Sequence, residues 1–482
     1  MKVLMLGWEY PPHITGGLGT ACQGLTIALG KMGTEIDFVV PHLLGGERAP
    51  HMKLIESTRG LACAELGLEP LEEDANDGFP VTGKITRYEV PAVLSPYWNE
   101  VSYITYVEKL KRLSPDEIES LLPNELFPDG DRRRSAIFSP SFKGGYGGDL
   151  FKEIELFARN VLRLVGHRRF DVIHAHDWIT FPAGIALAQA SQKPLVVHVH
   201  SLEADRAGAS GNPRIRAIES KGIRVANSVI AVSNYTASVI AREYGVSRSN
   251  ITVVHNGMEV PPPLHSKVLN KEGIKGKIVL FLGRITYQKG PEYFVEAASR
   301  VLAKHPNTIF VMAGSGDMLP QMISRARELG ILENFRFTGF LKGREVEEMF
   351  TAADLYVMPS VSEPFGLTAL EAIHCGTPVI VSKTSGVSEV LNHVMKVDFW
   401  DVEKMASLIA EAISDDAVGR NIVASSQNDI ARLRWDAAAR IVLEVYGAVV
   451  PAPAVPTPAV PTPAVAAPKG LPTKRALSLG AS

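Results

Sequence analysis

The sequence predicts an α/β protein built from two consecutive doubly wound, Rossmann-like parallel-sheet domains. Two observations carry this. Short apolar runs of strand length alternate with helix-length amphipathic segments through both halves of the chain. Such alternation indicates parallel strands covered by helices on both faces. The alternation stops at Pro261-Pro262-Pro263 and then restarts; prolines in series cannot join a sheet or a helix interior, so they mark a boundary.

Val3 to Leu6 reads as the first buried strand. Its apolar run is too short for a signal peptide, and it ends at Trp8-Glu9-Tyr10-Pro11-Pro12 without a small-residue cleavage site. Gly16-Gly17-Leu18-Gly19 reads as the loop that follows, Thr20 to Met32 as a helix stopped by Gly33, and Glu35 to Val40 as the next strand. Residues 45–148 are less regular, with polar and Gly/Pro-rich stretches, and are expected to be elements inserted near the cleft. The pattern resumes with a helix from Asp149 to Val165 and strands at Phe170 to Ala175, Pro194 to Val199, Ser228 to Val232 and Ile251 to Val254. Beyond the prolines come strands at Ile278 to Leu282, Thr308 to Ala313, Phe335 to Thr338, Leu355 to Met358 and Val379 to Ser382, separated by helices. Trp435 to Tyr446 is a last apolar helix. Residues 448–468 are almost wholly Pro, Ala, Val and Thr, a composition that cannot pack a core and predicts a disordered, polyproline-like tail. The expected spans are therefore 1–262 and 263–432 for the two domains, 433–447 for the last helix and 448–482 for the tail.

Composition excludes a few classes. The 482 residues suffice for two or three ordinary domains, and 46% apolar with 21% charged residues is that of a soluble globular chain. A formal net charge of -2 gives no polyelectrolyte drive toward nucleic acid. No run approaches the roughly 18 consecutive apolar residues of a membrane span. Cys22, Cys63 and Cys375 have no metal or redox spacing, which suits a reducing compartment and a cytoplasmic location.

Chemistry concentrates in two segments. Gly283-Arg284-Ile-Thr-Tyr-Gln-Lys289-Gly290 puts two cations in the loop after a buried strand, and Glu363-Pro-Phe365-Gly366-Leu367-Thr368-Ala-Leu-Glu371 brackets a helix start with two carboxylates. Arg and Lys hold phosphate oxygens, and carboxylates accept from sugar hydroxyls. Backbone N–H groups of Phe365 to Thr368 form a phosphate cradle at that helix N-terminus. Gly16-Gly17-Leu18-Gly19 follows a strand and opens a helix, but Cys22 stands where a dinucleotide fingerprint needs its last glycine. His174-Ala-His176-Asp177-Trp178 and His198-Val-His200 end neighbouring strands. Ser201-Leu-Glu203-Ala-Asp205-Arg206 follows the second pair. Two such pairs and an Asp suit a metallohydrolase, because alternate strand residues share a face; that class explains neither Arg284 and Lys289 nor a second domain. Packed histidines are the plainer reading for His174 and His198. Asp129-Gly-Asp131 lies beside Pro128 with no apolar strand before it and reads as a solvated turn. His255-Asn256-Gly257, Gly314-Ser-Gly316 and Ser385-Gly386-Val-Ser388-Glu389 are strand-end loops that can line the same cleft.

The Arg284–Lys289 and Glu363–Glu371 segments together resemble the donor site of retaining nucleotide-sugar glycosyltransferases of the GT-B architecture, the group of glycogen and starch synthases. The resemblance extends over most of the chain before residue 447. It implies two Rossmann-like domains facing a cleft, with the last helix crossing back to the first. It implies that Arg284 and Lys289 clamp the donor diphosphate, Glu363 contacts the sugar, Glu371 the ribose, His176 the transferred hexose, and Gly16 and Gly17 lie near the donor phosphates. The implied activity is transfer of a hexose, glucose first, from UDP- or ADP-glucose to an α-glucan or oligosaccharide, with no metal and no cofactor beyond that co-substrate. Typical bacterial glycogen synthases carry a cysteine at the Phe365 position and a lysine in the Gly16-Gly17 loop, where this chain has Ile14-Thr15. The donor base and the acceptor, whether glucan, sucrose-type, small-molecule or lipid-linked, therefore stay open. So does a carbohydrate-binding protein on an inactive transferase fold.

Overall fold

The computed structural model describes residues 1–450 except 13–16, 42, 44–46, 48, 58–149, 259–275 and 342. Gly16, Cys63, the Asp129-Gly-Asp131 turn, the triple proline, most of the irregular 45–148 segment and the tail beyond 450 lie outside the described residues.

The first sheet has seven strands: β1 (Lys2–Leu6), β2 (Glu35–Val40), β3 (Lys53–Glu56), β4 (Val172–His176), β5 (Leu195–Val199), β6 (Ser228–Ala231) and β7 (Ile251–Val253). Their order is β3-β2-β1-β4-β5-β6-β7, with every pair parallel. The second has six: β8 (Ile278–Leu282), β9 (Ile309–Ala313), β10 (Phe335–Gly339), β11 (Leu355–Met358), β12 (Val379–Ser382) and β13 (Met395–Val397), ordered β10-β9-β8-β11-β12-β13 and again all parallel. The chain is thus two Rossmann-like parallel-sheet domains, as the alternation predicts.

Period-two placement explains why the strands are apolar throughout. In β1, Leu4 and Leu6 enter the core on one face of the sheet, and Val3 and Met5 the core on the other. In β8, Val279 and Phe281 face one core, Ile278 and Leu280 the other. Helices cover both faces, as parallel pairing requires. Those used below are α1 (Gly17–Lys31), α2 (Leu150–Val165), α3 (Phe181–Ser191), α4 (Glu203–Ala207), α5 (Pro213–Val225), α6 (Asn234–Tyr244), α7 (Pro291–Leu302), α8 (Leu319–Glu328), α9 (Arg344–Ala352), α10 (Leu367–His374), α11 (Val402–Ser414), α12 (Asp416–Arg432) and α13 (Trp435–Val449). None of the helices described is long and apolar enough to cross a membrane.

Four elements differ most from the sequence reading. The first helix begins at Gly17, not Thr20, so Gly17 to Gly19 belong to it and not to the loop. The first N–H groups of a helix have no intrahelical partner, so a side chain can substitute; here the Glu9 carboxylate accepts from Gly19 N at 3.2 Å. The edge strands β3 and β13 carry lysines and are only four and three residues long, too brief for a periodic signal. The last helix runs to Val449, past the expected limit of 447.

That helix packs on the first sheet. Ala438, Ala439, Val442, Val445 and Tyr446 join the core formed by Val3, Met5, Leu25, Leu29 and Phe38. Trp435 lies so close to α1 that a Cβ on Gly24 would stand 2.1 Å from its ring. The chain meets itself again just before: Met258 N donates to Leu433 O at 2.7 Å, and a Cβ on Gly257 would stand 2.2 Å from Trp435 N. Gly24→Ala is therefore expected to destabilise the protein by about 1–3 kcal/mol through overpacking, read as a lower urea midpoint at unchanged slope.

Candidate active site

In an open parallel sheet, ligands bind beyond the carboxyl ends of the strands where the strand order reverses. The second sheet reverses between β8 and β11. The loop after β8 carries Arg284 and Lys289, and the loop after β11 carries Glu363. The first sheet reverses between β1 and β4. The chain after β1 leads to Gly17, and β4 ends at His176. A Cβ on Gly17 would lie 3.8 Å from Leu367 Cδ1, so the N-termini of α1 and α10 oppose each other across the two domains.

The cation loop is held by backbone contacts. Ile285 N donates to Ser315 O at 2.8 Å, and a Cβ on Gly316 would stand 2.1 Å from Ile285 O; the Gly314-Ser-Gly316 loop thus braces the cation loop from behind. Gly290 has φ 62° and passes so near Pro359 O that a Cβ would stand 2.3 Å from it. No side chain fits there, and Gly290 turns Lys289 inward before α7 begins. The Arg284 guanidinium donates to Gln288 Oε1 at 3.2 Å, and Val361 N donates to Gln288 O at 3.0 Å, tying the cation loop to the carboxylate loop.

Lys289 and Glu363 form an ion pair, with side chains 21% and 8% exposed. Ser360 Oγ also donates to Glu363 Oε2 at 3.2 Å. Glu363 bridges in parallel to Ser385, and its backbone N–H donates to Thr384 O at 2.9 Å. Downstream, Gly366 (φ 110°) starts α10. Thr368 Oγ1 stands at that N-terminus, 2.9 Å from Tyr356 Oη. Phe365 is buried against His255, ring centroids 5.9 Å apart, so its side chain serves packing. Glu371 is half-buried on α10, and burial, with Glu347 nearby, pushes its carboxyl up to about 7.

His176 has no solvent exposure. It belongs to four imidazoles on one face of β4 and β5. His174 and His176 stack at 4.3 Å, His198 and His200 at 4.2 Å, and His176 Nδ1 lies 3.0 Å from His200 Nε2. His174 Nδ1 lies 2.5 Å from Tyr446 Oη, which ties the ladder to α13. Some of these nitrogens come within 4.8 Å of one another. Cys22 Sγ stands within the same reach of His176 and His200, and those two imidazoles are turned on each other in a hydrogen bond. Burial holds all four neutral: His174 and His200 are lowered to about 3, His176 and His198 well below their ordinary value.

Lys289, Glu363, Thr368 and the α10 N-terminus come together at one switch point, with Arg284 on the same loop. The His176 ring packs into the ladder at the other. Sequence reasoning placed His255 and Glu389 in cleft-lining loops but did not foresee that they belong to a set of residues joining the two domains. Ser362 Oγ meets Asp205 at 2.6 Å and Tyr235 at 2.7 Å. Pro364 O accepts from Ser233 Oγ at 2.6 Å. The Glu389 carboxylate accepts from Asn234 N at 2.9 Å and lies 3.2 Å from His255 Nε2. These partners are more than a hundred residues apart, so no local spacing announces them.

Residues 266–429 match the family described as Glycosyl transferases group 1, and residues 126–260 match Glycosyltransferase Family 4. The chain is a glycosyltransferase. An uncharacterized glycosyltransferase of Methanocaldococcus jannaschii is 28% identical over 463 residues, covering 92% of this chain and 98% of that one. The glycogen synthase of Mycobacterium tuberculosis is 28% identical over 456 residues, covering 92% and 94%. Among solved structures, sucrose-phosphate synthase from Thermosynechococcus elongatus superposes with a TM-score of 0.65 at 19% identity, covering 93% of this chain and 98% of that one. Anabaena HepE, solved with UDP-glucose, gives 0.60 at 16% identity, covering 93% and 100%. These two structures share the GT-B fold with this glycosyltransferase.

The histidine ladder sets an acid limit on the enzyme. Its imidazoles titrate lower in the folded chain than in the unfolded one, so their contribution is complete above about pH 6.5 and is lost as the pH falls toward about 3. Each group removes up to about 1.4 kcal/mol per pH unit across that window. Melting temperature should therefore fall steeply below pH 6.5, and His198→Asn should make the fall shallower. An equal slope in wild type and variant would contradict the ladder's role.

Proposed function

We propose that the chain is a retaining hexosyltransferase that moves glucose from a nucleoside diphosphate to a hydroxyl of an α-glucan. The Lys289–Glu363 pair at the second switch point carries this reading. A cation and a carboxylate that neutralise each other can be parted by a ligand with phosphate at one end and hydroxyls at the other. A sugar diphosphate fits: its phosphate oxygens take Lys289, Arg284 and the N–H groups of Gly366, Leu367 and Thr368, while its sugar hydroxyls donate to Glu363. Gly17, at the start of α1, faces the same phosphates, and Glu371 serves the ribose.

In the reaction the bond from the sugar anomeric carbon to the diphosphate oxygen breaks, and a bond to the acceptor oxygen forms on the same face. By analogy with retaining enzymes of this group, the acceptor proton passes to a diphosphate oxygen. Arg284 and Lys289 stabilise the departing charge, which is where preorganised groups contribute most. His176, expected to contact the hexose, is fully buried in the ladder; it braces the end of β4 as a neutral, fixed group and does not reach the sugar. The scheme uses no metal and no further cofactor. The M. tuberculosis glycogen synthase supports a glucan acceptor, and HepE with UDP-glucose supports a glucosyl donor. The free thiols of Cys22 and Cys375 fit a cytoplasmic enzyme.

The test is a panel of nucleotide sugars, with released nucleoside diphosphate measured with and without glycogen. Release that glycogen does not stimulate would remove the glucan acceptor; no release from any donor would remove the catalytic reading. With the best donor, Lys289→Ala should lower turnover about 10²–10³-fold, the scale for losing one preorganised charge-stabilising donor. Its effect on donor KM should be smaller. Lys289→Arg should recover activity only in part, since a planar fork does not replace a compact ammonium. The Arg284→Ala/Lys289→Ala pair should lose less than the product of the single losses, because both act on one diphosphate.

A further inference from the structure

We propose that Asp205 and Ser362 are positioning residues that make the geometry of Glu363 depend on closure of the two domains. This rests on the reading that Glu363 touches the transferred sugar. The observation behind it is that the other domain grips the peptide on both sides of Glu363. Before it, the Ser362 side chain enters the first domain between α4 and α6, 2.6 Å from Asp205 Oδ1 and 2.7 Å from Tyr235 Oη. After it, Pro364 O accepts from Ser233 Oγ at 2.6 Å and from Thr236 Oγ1 at 3.2 Å. Glu363 itself reaches back to Lys289 and Ser360 within its own domain.

Proton accounting gives the link a direction. A serine hydroxyl has one proton, and an ionised carboxylate only accepts. Ser362 therefore donates to Asp205, and Tyr235 donates to Ser362. The second Asp205 oxygen accepts from Leu202 N at 2.8 Å, which fixes the carboxylate against the start of α4. Asp205 is 1% exposed, and a buried carboxylate of this kind persists only when its oxygens are satisfied. Opening the domains withdraws Ser362 and leaves one oxygen without its donor. It also frees the backbone on both sides of Glu363. The link thus favours closure and sets the Glu363 carboxylate at the same time, and a displacement near 1 Å at a positioning group costs about 10²-fold in rate.

The experiment compares wild type with Ser362→Ala, Ser362→Thr, Asp205→Asn, Tyr235→Phe and the Asp205→Asn/Ser362→Ala double variant. UDP-glucose and ADP-glucose are the donors, and small-angle scattering is measured on the same samples without substrate. Ser362→Ala should lower kcat about 10²-fold, with little change in donor KM. Ser362→Thr, which keeps the hydroxyl, should recover part of the loss. The double variant should be no worse than its worse parent, because both changes break one link. The radius of gyration should rise in Ser362→Ala and Asp205→Asn, and less in Tyr235→Phe. Unchanged kcat and radius of gyration in Ser362→Ala would overturn the proposal. If wild type turns over neither donor, the glucosyl reading fails separately. Scattering then decides: a larger radius in the variants upholds the link, and an unchanged one sinks it.

Discussion

Among the described residues every hydrogen-bonded strand pair is parallel, and this constraint shapes the rest of the molecule. Parallel neighbours cannot be joined by a hairpin, so each strand must be followed by a crossover that returns along a face of the sheet. All strand carboxyl ends then lie along one edge, and irregular backbone gathers there. Arg284, Lys289, Glu363, His176 and Asp177 all stand just at or beyond such ends. Where the strand order reverses, consecutive crossovers leave to opposite faces and a crevice remains. The chemistry concentrates in the two crevices because the fold offers few other places where backbone N–H groups, helix N-termini and side chains converge.

The ion pair between Lys289 and Glu363 shows how such a crevice accommodates charge. Two isolated charges in a half-buried crevice would be costly. Held against each other, with Ser360 on the carboxylate, they cost less. A ligand that separates them must supply both an anion and hydroxyl donors. A nearby carboxyl, Glu371, is treated differently: it has no cation beside it among the described residues, and burial raises it toward neutrality.

Much of this was legible in the sequence because its signals are local. β2, β8, β11 and β12 fall at the residues where apolar runs begin and end. The clamp and the Glu363–Glu371 segment announce themselves because a cation-bearing or carboxylate-bearing loop directly follows a buried strand. What was not legible depends on distance. β3 and β13 become strands only because a neighbour supplies the other half of the ladder. The burial of His176 follows from register between β4 and β5, which pairs it with His198; spacing alone fits a ligand set equally well. Asp205 resembles any acid opening a helix until Ser362 arrives from the other domain. Gly17 reads as a loop residue until Glu9 is seen capping the turn that contains it.

The return of α13 has a consequence for how the protein is made. The core beneath one face of the first sheet is closed by Ala439, Val442 and Tyr446, and the second domain lies between them and the rest of that core in the chain. Chains emerge from the ribosome amino end first, and domains ordinarily fold in that order. Here the amino-terminal half is synthesised early but must wait, with Val3, Met5 and Phe38 uncovered, until the carboxyl-terminal helix appears. The second domain needs α11 and α12 for its own cores, where Ile409, Ile413, Ile430 and Leu433 are buried, so it too is complete only just before α13 emerges. Until then the apolar sheet face is open to chaperones or to another nascent copy.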